Sequence, residues 1–390
     1  MTGIGVEGSV PSTIIYKKGW RFPFTDFNSV FKIDAEDAEV TIENIHFTDF
    51  NHTCIFGIQC NRLDIKNNRI SLMTGYGRGM SYGAFGDVVI GVWIRGSDSG
   101  GFKGEVLIEG NHIDFARGGA FGGFLTRGGI EEDPEYRPDL LHHEYYMGFG
   151  IAVHQASGNV NITKNNIRNM NARGIAATDN YPSADVQIRN NTVKSDLYGS
   201  YPFSSPEAGT GILVQSSWGF LSPGFNVEIE DNIINLRKLN HCGIKTLGAV
   251  IDREGTGKLK GGLIRNNRIT LTNGYEGIHV RRCDDFEVYD NTLSGDAYYG
   301  IRISGREGSE KVDMISCRNL VENNKMDELR IREPDHYSKN NADGIMFPKS
   351  TGDNVKPHIW LGTFTRKNVI KVRKNEKILD EGEDNKIEYS

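Results

Sequence analysis

Lys245, His279, Arg281 and Arg302 are the residues of this chain whose types and spacing bear most directly on chemistry. Lys245, His279 and Arg302 each fill the third place of a segment reading Gly-Ile-x-apolar or close to it, and Arg281 lies two residues beyond His279. A base held among cations can take a proton from the carbon beside a carboxylate, because the cations stabilise the charge that develops on the enolate. Lys245 or His279 would be that base, with Arg281 and Arg302 gripping carboxylates through planar, doubly donating guanidinium groups. Crowded together, such groups repel one another unless acids or an anionic ligand neutralise them. Glu276, Asp284, Asp285 and Asp296 are close enough in sequence to do so, which leaves a self-paired, solvated surface as the alternative.

A second set consists of Trp93, Arg95, His154 and Asp179. In Gly-Ile-x-Val the Ile and Val point one way, and the x residue and the one after Val point the other. If successive segments lie side by side, x forms a row through Gln59, Trp93, Ala152, Ala176, Leu213, Lys245, His279, Arg302 and Met346. The second row is Asn61, Arg95, His154, Thr178, Gln215, Leu247, Arg281, Ser304 and Pro348. Trp93 would give a flat apolar platform for a sugar ring, Arg95 and His154 polar grips beside it, and Asp179 an acid at the end of a neighbouring strand. The His142-His143 pair lacks the spacing of a zinc peptidase helix, and no phosphate loop or nucleophile elbow is present.

Elements able to place these rows are written in a repeat. The pattern apolar-x-apolar-x-x-Asn-x-apolar recurs at 63–70, 106–113, 160–167, 186–193, 227–234, 262–269 and 286–293, with a looser copy ending at Asn324 and Met326. Its Asn is Asn68, Asn111, Asn165, Asn191, Asn232, Asn267, Asn291 and Asn324, and Ile45 stands in that place in the first legible turn. The partner segments begin at Gly57, Gly91, Gly150, Gly174, Gly211, Gly243, Gly277, Gly300 and Gly344. Runs this short, with period two, bury nothing alone, whereas a coil stacks each on its copy ~4.8 Å along the axis. Asn suits the bend, since it tolerates the left-handed conformation and its amide can bond to the Asn above and below. The expectation is an all-β, right-handed parallel β-helix with three parallel sheets and about nine to eleven turns.

The spacing between the last apolar residue and the Asn never changes. Insertions fall on both flanks of the Gly-Ile segment instead: 71–89, 114–149, 194–210 and 327–343 before it, and 95–104, 215–225, 247–260 and 304–318 after it. Loops bordering one sheet on both sides make that sheet the floor of a groove, the place for function on a rigid scaffold. The longest, 114–149, reads as a flap. Residues 1–29 read as an amino-terminal cap or remnant, 30–350 as the coil, and 351–390 as degenerate last turns and a carboxy-terminal cap or tail.

Composition agrees. The 390 residues include 47 Gly and only 11 Pro, which suits a corner-rich β fold, and the net charge of -6 speaks against nucleic acid as the partner. Five cysteines without a close pair indicate buried thiols rather than a disulfide framework or a zinc site. No apolar run approaches the roughly 18 residues of a membrane span, and Met1 to Val10 lacks a signal peptide's basic start and apolar centre.

The Asn bends with Gly-Ile-x-Val resemble the right-handed parallel β-helix superfamily of pectate lyases, polygalacturonases, alginate-modifying enzymes and phage tailspikes. The resemblance implies a polysaccharide or oligosaccharide partner bound beside the Gly-Ile sheet, and an extracellular or periplasmic location. Polygalacturonase-like hydrolases carry Asn-Thr-Asp, Asp-Asp, Gly-His-Gly and Arg-Ile-Lys on successive turns. Here Asp284-Asp285 follows Gly277-Ile278-His279 within one turn, and Arg302-Ile303-Ser304 lacks the Lys. The Tyr-Gly-x-Asp-Pro-His signature of mannuronan epimerases is absent too. Uronate lyases of this fold use Lys or Arg near a bound carboxylate, often with Ca²⁺, and the set 245, 279, 281 and 302 is similar in kind. The reading is therefore an acidic-polysaccharide lyase. A glycoside hydrolase using carboxylates from Asp179, Asp284 or Asp296, and a non-catalytic tailspike-like module, are the alternatives.

Overall fold

A strand with two inward apolar residues cannot stand alone, and the chain meets this by winding. The computed structural model describes residues 13–16, 29–48, 53–73, 87–96, 101–115, 146–170, 173–195, 209–216, 225–237, 241–248, 259–305, 315–332 and 357–390. Among them every regular element is a β-strand, and each pairs in parallel with its counterpart one turn away. No helix among the described residues is long and apolar enough to cross a membrane.

The interior is a set of stacks. Ile42, Ile65, Ile108, Ile162, Ile188, Ile229, Ile264 and Val288 lie in register in the strands that precede the Asn, here called the first sheet. Ile55, Val92, Ile151, Ile175, Ile212, Ile244, Ile278 and Ile301 do the same in the Gly-Ile strands, the third sheet. All are buried, and each contributes about 1.5–3 kcal/mol of apolar transfer. The strands that follow the Asn form the second sheet. In Arg268–Arg281 and Thr292–Ser304 the chain passes from second to third sheet without a loop, so the two join into one 19-stranded sheet beside a 13-stranded first sheet.

The Asn corner is a ladder of side-chain amides. Asn68 Nδ2 donates to Asn111 Oδ1 at 3.0 Å, and the bond repeats through Asn165, Asn191, Asn232, Asn267 and Asn291 to Asn324. The backbone N–H of each Asn donates to the same oxygen, and Ile45 N opens the ladder by donating to Asn68 Oδ1. The left-handed residue is not the ladder Asn, as the sequence suggested, but the residue before it: Asn67, Lys164, Asn190, Asp231, Asn266, Asp290 and Asn323 have φ of 53–57°. The bend and the amide bond are thus given to two neighbours, which is why the first position varies and the second does not.

The glycine opening each third-sheet segment is required by close approach. A Cβ on Gly211 would stand 2.6 Å from Gly243 O and 2.7 Å from Ile234 Cγ2, and Gly91, Gly150, Gly174, Gly243 and Gly277 meet the next turn in the same way. Gly262 has another reason, since Phe286 of the next turn fills the space where its Cβ would be, 2.3 Å from the ring.

Both ends extend the coil. Thr13–Tyr16 pairs in parallel with Ile45–Thr48. At the other end Ile359–Leu361 and Ile378–Asp380 add to the third sheet, and Val369–Val372 and Lys386–Tyr389 to the first. Asn368 and Asn385, which read as echoes of the Asn corner, belong to a different one. Asn319 Nδ2 donates to Asn368 Oδ1 and Asn368 Nδ2 to Asn385 Oδ1, both at 2.9 Å, at the entrance of first-sheet strands rather than at their exit. One turn, 315–332, therefore contains the last rung of the first ladder, Asn324, and the first rung of the second, Asn319. The flap expected at 114–149 lies mostly outside the described residues.

Candidate functional site

Three outward rows run down the third sheet. The residue before each glycine gives Ile90, Phe149, Arg173, Thr210, Cys242, Glu276 and Tyr299. The middle row is Phe56, Trp93, Ala152, Ala176, Leu213, Lys245, His279, Arg302 and Trp360, and the last is Arg95, His154, Thr178, Gln215, Leu247, Arg281 and Ser304. Asn61 lies past the end of the strand Thr53–Gln59 and so leaves the last row, and in the middle row two expected members change. Phe56 rather than Gln59 lies beside Trp93, because the strand Thr53–Gln59 pairs three residues earlier than its Gly-Ile dipeptide suggests. Trp360 rather than Met346 lies beside Arg302; the segment His358-Ile359-Trp360-Leu361 lacks the opening glycine that would have marked it, and residues 344–348 fall outside the described ones.

Lys245, His279 and Arg302 are brought onto adjacent rungs, but they point outward without being exposed. Their exposures are 2%, 0% and 3%, and Glu276 beside them is at 0%. Glu276 joins two of them: Arg302 Nη1 donates to its Oε1 at 2.7 Å, and His279 Nδ1 lies 2.8 Å from its Oε2. Cys242 Sγ donates to the same Oε2 at 3.6 Å, and His279 Nε2 shares a 2.8 Å hydrogen bond with Ser304 Oγ. The Arg302 guanidinium lies 4.1 Å from the Trp360 ring centre, and Tyr275, Tyr298 and Tyr299 pack with Trp360 in one buried cluster. Burial pushes the His279 imidazole down to about 4 against the pull of Glu276, so the ring is neutral near pH 7. Burial also opposes the Arg302 charge, yet Glu276 and the neighbouring tyrosines hold its pKa above the ordinary value. Half-buried Arg281 stands one rung from Ser304 and one from Leu247.

Trp93, Arg95, His154 and Asp179 also come together, some three rungs or about 14 Å from Lys245 along the coil. Trp93 is buried against Phe56, ring centres 5.0 Å apart, and the Arg95 guanidinium lies 5.8 Å from its ring. His154 is paired with Arg95 in register; its Nδ1 is 3.0 Å from Thr178 Oγ1 and 3.8 Å from Asp179 Oδ2. The side chains of His154 and Asp179 keep 16% and 12% of their surface, so this set meets solvent where the other does not. Asp179 itself is the left-handed corner residue, φ 51°, which aims its carboxylate back across the strand it follows.

The other acids go elsewhere. Asp284 and Asp285 pair with Arg318, and Asp296 with Arg332 and Arg330, so no two of the carboxylates considered for hydrolysis are drawn together. Among the described residues no group of three or more His, Cys, Asp or Glu side chains is arranged to hold a metal ion. The buried aromatic layer and the depth of the Glu276 pairing were the features sequence reasoning missed, although Glu276 itself stood among the acids expected to neutralise the cations. Their signal was present in the residue before each glycine, Glu276 and Tyr299, which alternation alone did not place in a row.

With parallel strands, amide ladder and glycine corner all present, the chain folds as a right-handed parallel β-helix, and residues 35–217 match the family described as "Right handed beta helix region". Two solved structures are similar to it. One is a double mutant of the periplasmic alginate epimerase AlgG, at 11% identity and a TM-score of 0.41, covering 91% of this chain and 76% of that one. The other is the Dettilon tailspike protein, at 13% identity and a TM-score of 0.35, covering 89% of this chain and 62% of that one, so the chain spans less than two thirds of the tailspike. Neither likeness bears on activity. No curated protein matches the sequence.

Proposed function

We propose that this chain binds an acidic polysaccharide lengthwise along the outer face of the third sheet and cleaves it by β-elimination. One observation carries the reading: the row ending the Gly-Ile segments sets the partly accessible polar groups Arg95, His154, Thr178, Gln215 and Arg281 in one line, broken at buried Leu247, and the first row adds half-buried Arg173. A linear polymer bearing carboxylates would find a guanidinium towards each end of that line and hydrogen-bonding side chains between. His154 would take the proton from the carbon beside a uronate carboxylate, with Arg95 on the adjoining rung stabilising the enolate and Asp179 orienting the ring. The electron pair left behind forms the carbon–carbon double bond as the glycosidic oxygen departs and is protonated. Arg281 would hold a second carboxylate. Lys245, His279 and Arg302, first considered as base and clamps, stand behind this line and support it.

A second reading, glycan binding without turnover, is favoured by the burial of those three groups with Glu276. The test is an ultraviolet assay for the conjugated unsaturated uronate on polygalacturonate and alginate, run beside a binding assay. Turnover lost in His154→Ala is expected. Binding without product supports the second reading, turnover unchanged in His154→Ala removes the assigned base, and no binding to either polymer overturns both readings.

A further inference from the structure

The outer face of the second sheet holds cations that the third-sheet site does not use. Its first outward row reads His46, Arg69, His112, Asn166, Thr192, Ile233, Arg268 and Thr292, and its second Ser71, Asp114, Arg168, Lys194, Asn235 and Thr270. Arg69, Arg168, Lys194 and Arg268 are exposed, and among the described residues no carboxylate lies within ion-pair distance of any of them. Arg168 Nε reaches no further than Asn166 Oδ1, and Asp114, the acid of these rows, accepts from Asn169 Nδ2 at 2.7 Å. Crowding of positive charge is felt by the two imidazoles: burial first, and then Arg69 or Arg168, lowers the pKa of His46 and His112. From Arg69 to Arg268 is five rungs, about 24 Å.

The first sheet shows that such a line is not what the winding imposes. There Glu43, Lys66, Glu109, Thr163, Arg189, Glu230 and Arg265 alternate in sign down one row, and the acids and bases pair: Lys164 with Glu109 at 2.8 Å, Arg265 with Glu230 at 2.7 Å, and Arg189 with Glu228. Each such pair is worth up to about 1 kcal/mol, and the second sheet forgoes them.

We propose that the second-sheet face from Arg69 to Arg268 is a secondary binding surface for an acidic polysaccharide, lying parallel to the coil axis and holding the polymer outside the cleavage line. The proposal takes only its polymer class from the reading above. Between the cations stand Asn166, Thr192, Asn235 and Thr270, side chains suited to hydroxyl groups, and Ile233, whose 44% exposure offers an apolar contact for a ring face. Neither row contains Phe, Tyr or Trp, the stacking platforms that single-stranded nucleic acid uses, so a carboxylated glycan fits better than a nucleic acid.

The test combines Arg69→Ser, Lys194→Ser and Arg268→Ser, exposed changes that leave the buried packing intact, and measures binding of polygalacturonate, of a uronate trisaccharide and of a single-stranded DNA oligonucleotide over a salt series. The expected result is polymer binding about tenfold weaker at low salt, a salt slope smaller by about three, and trisaccharide binding and turnover unchanged. Undiminished polymer binding with an unchanged slope overturns the proposal, as does DNA binding tighter than polygalacturonate in the parent protein. If the triple variant loses the polymer while the parent shows no turnover, the secondary surface stands and the cleavage reading falls. If the parent turns over polymer and the triple variant binds it as before, the reverse holds.

Discussion

The two halves of the third sheet use the same row for opposite ends. Around Lys245, His279 and Arg302 the outward side chains are buried, with Glu276 between His279 and Arg302 and the Tyr299 and Trp360 rings against Arg302, whereas around Trp93, Arg95, His154 and Asp179 the last two keep part of their surface. Between them lie Ala176 and Leu213 in the middle row and Thr178 and Gln215 in the last. Outward is therefore not the same as exposed: a β-helix can add a second, partly ionic layer on the outside of its coil, and the row beyond that layer keeps more of its surface.

The largest test of this difference removes a shared acid. Glu276→Ala leaves Arg302 buried beside a neutral imidazole, and a loss of about 3–5 kcal/mol in urea unfolding is expected. If the variant is as stable as the parent, the buried half is not held by its charges. The spacer comes next. Gly211→Ala forces a Cβ against Gly243 O and Ile234, with an expected loss of about 1–3 kcal/mol and a lowered thermal midpoint. Acid should then separate the halves. The folded His279 titrates near 4 and the unfolded one near 6.5, so between these values the unfolded chain binds more protons. Stability is thus expected to fall as pH drops through that window, and the fall should flatten in His279→Gln. A slope identical in both would show that His279 is not the group responsible. Asp179→Ala, by contrast, breaks a longer, partly solvated contact; less than about 1 kcal/mol is expected, with the effect appearing in turnover instead.

Most of the winding was legible from Asn68 to Asn324, because the amide ladder tolerates no insertion at its corner and so prints a fixed spacing. The left-handed residue was misplaced by one, since any of Asn, Asp, Lys or Gly can fill it and variety hides it. Phe56 and Trp360 were missed because their turns lack the glycine in its usual place, and Asn319 because its ladder has few rungs in this chain. In the site, alternation placed Lys245, His279 and Arg302 side by side but gave no account of depth. For Arg302 that came from Tyr299 and Trp360, which only the folded chain brings against its guanidinium. The exposed cations of the second sheet are equally present in the sequence, in the strands after the Asn, whose outward rows only the register of the folded chain lines up.

The turn at 315–332 has a mechanical meaning. Every amide before it hands its hydrogen bond to the following turn along one edge of the coil, and every amide after it does so along another, with Asn324 ending one relay and Asn319 starting the next. A seam of this kind lets one spiral change cross-section without a break in its spine. The 357–390 piece could therefore be grafted onto a different coil, provided the splice carries residues 319–324 with it.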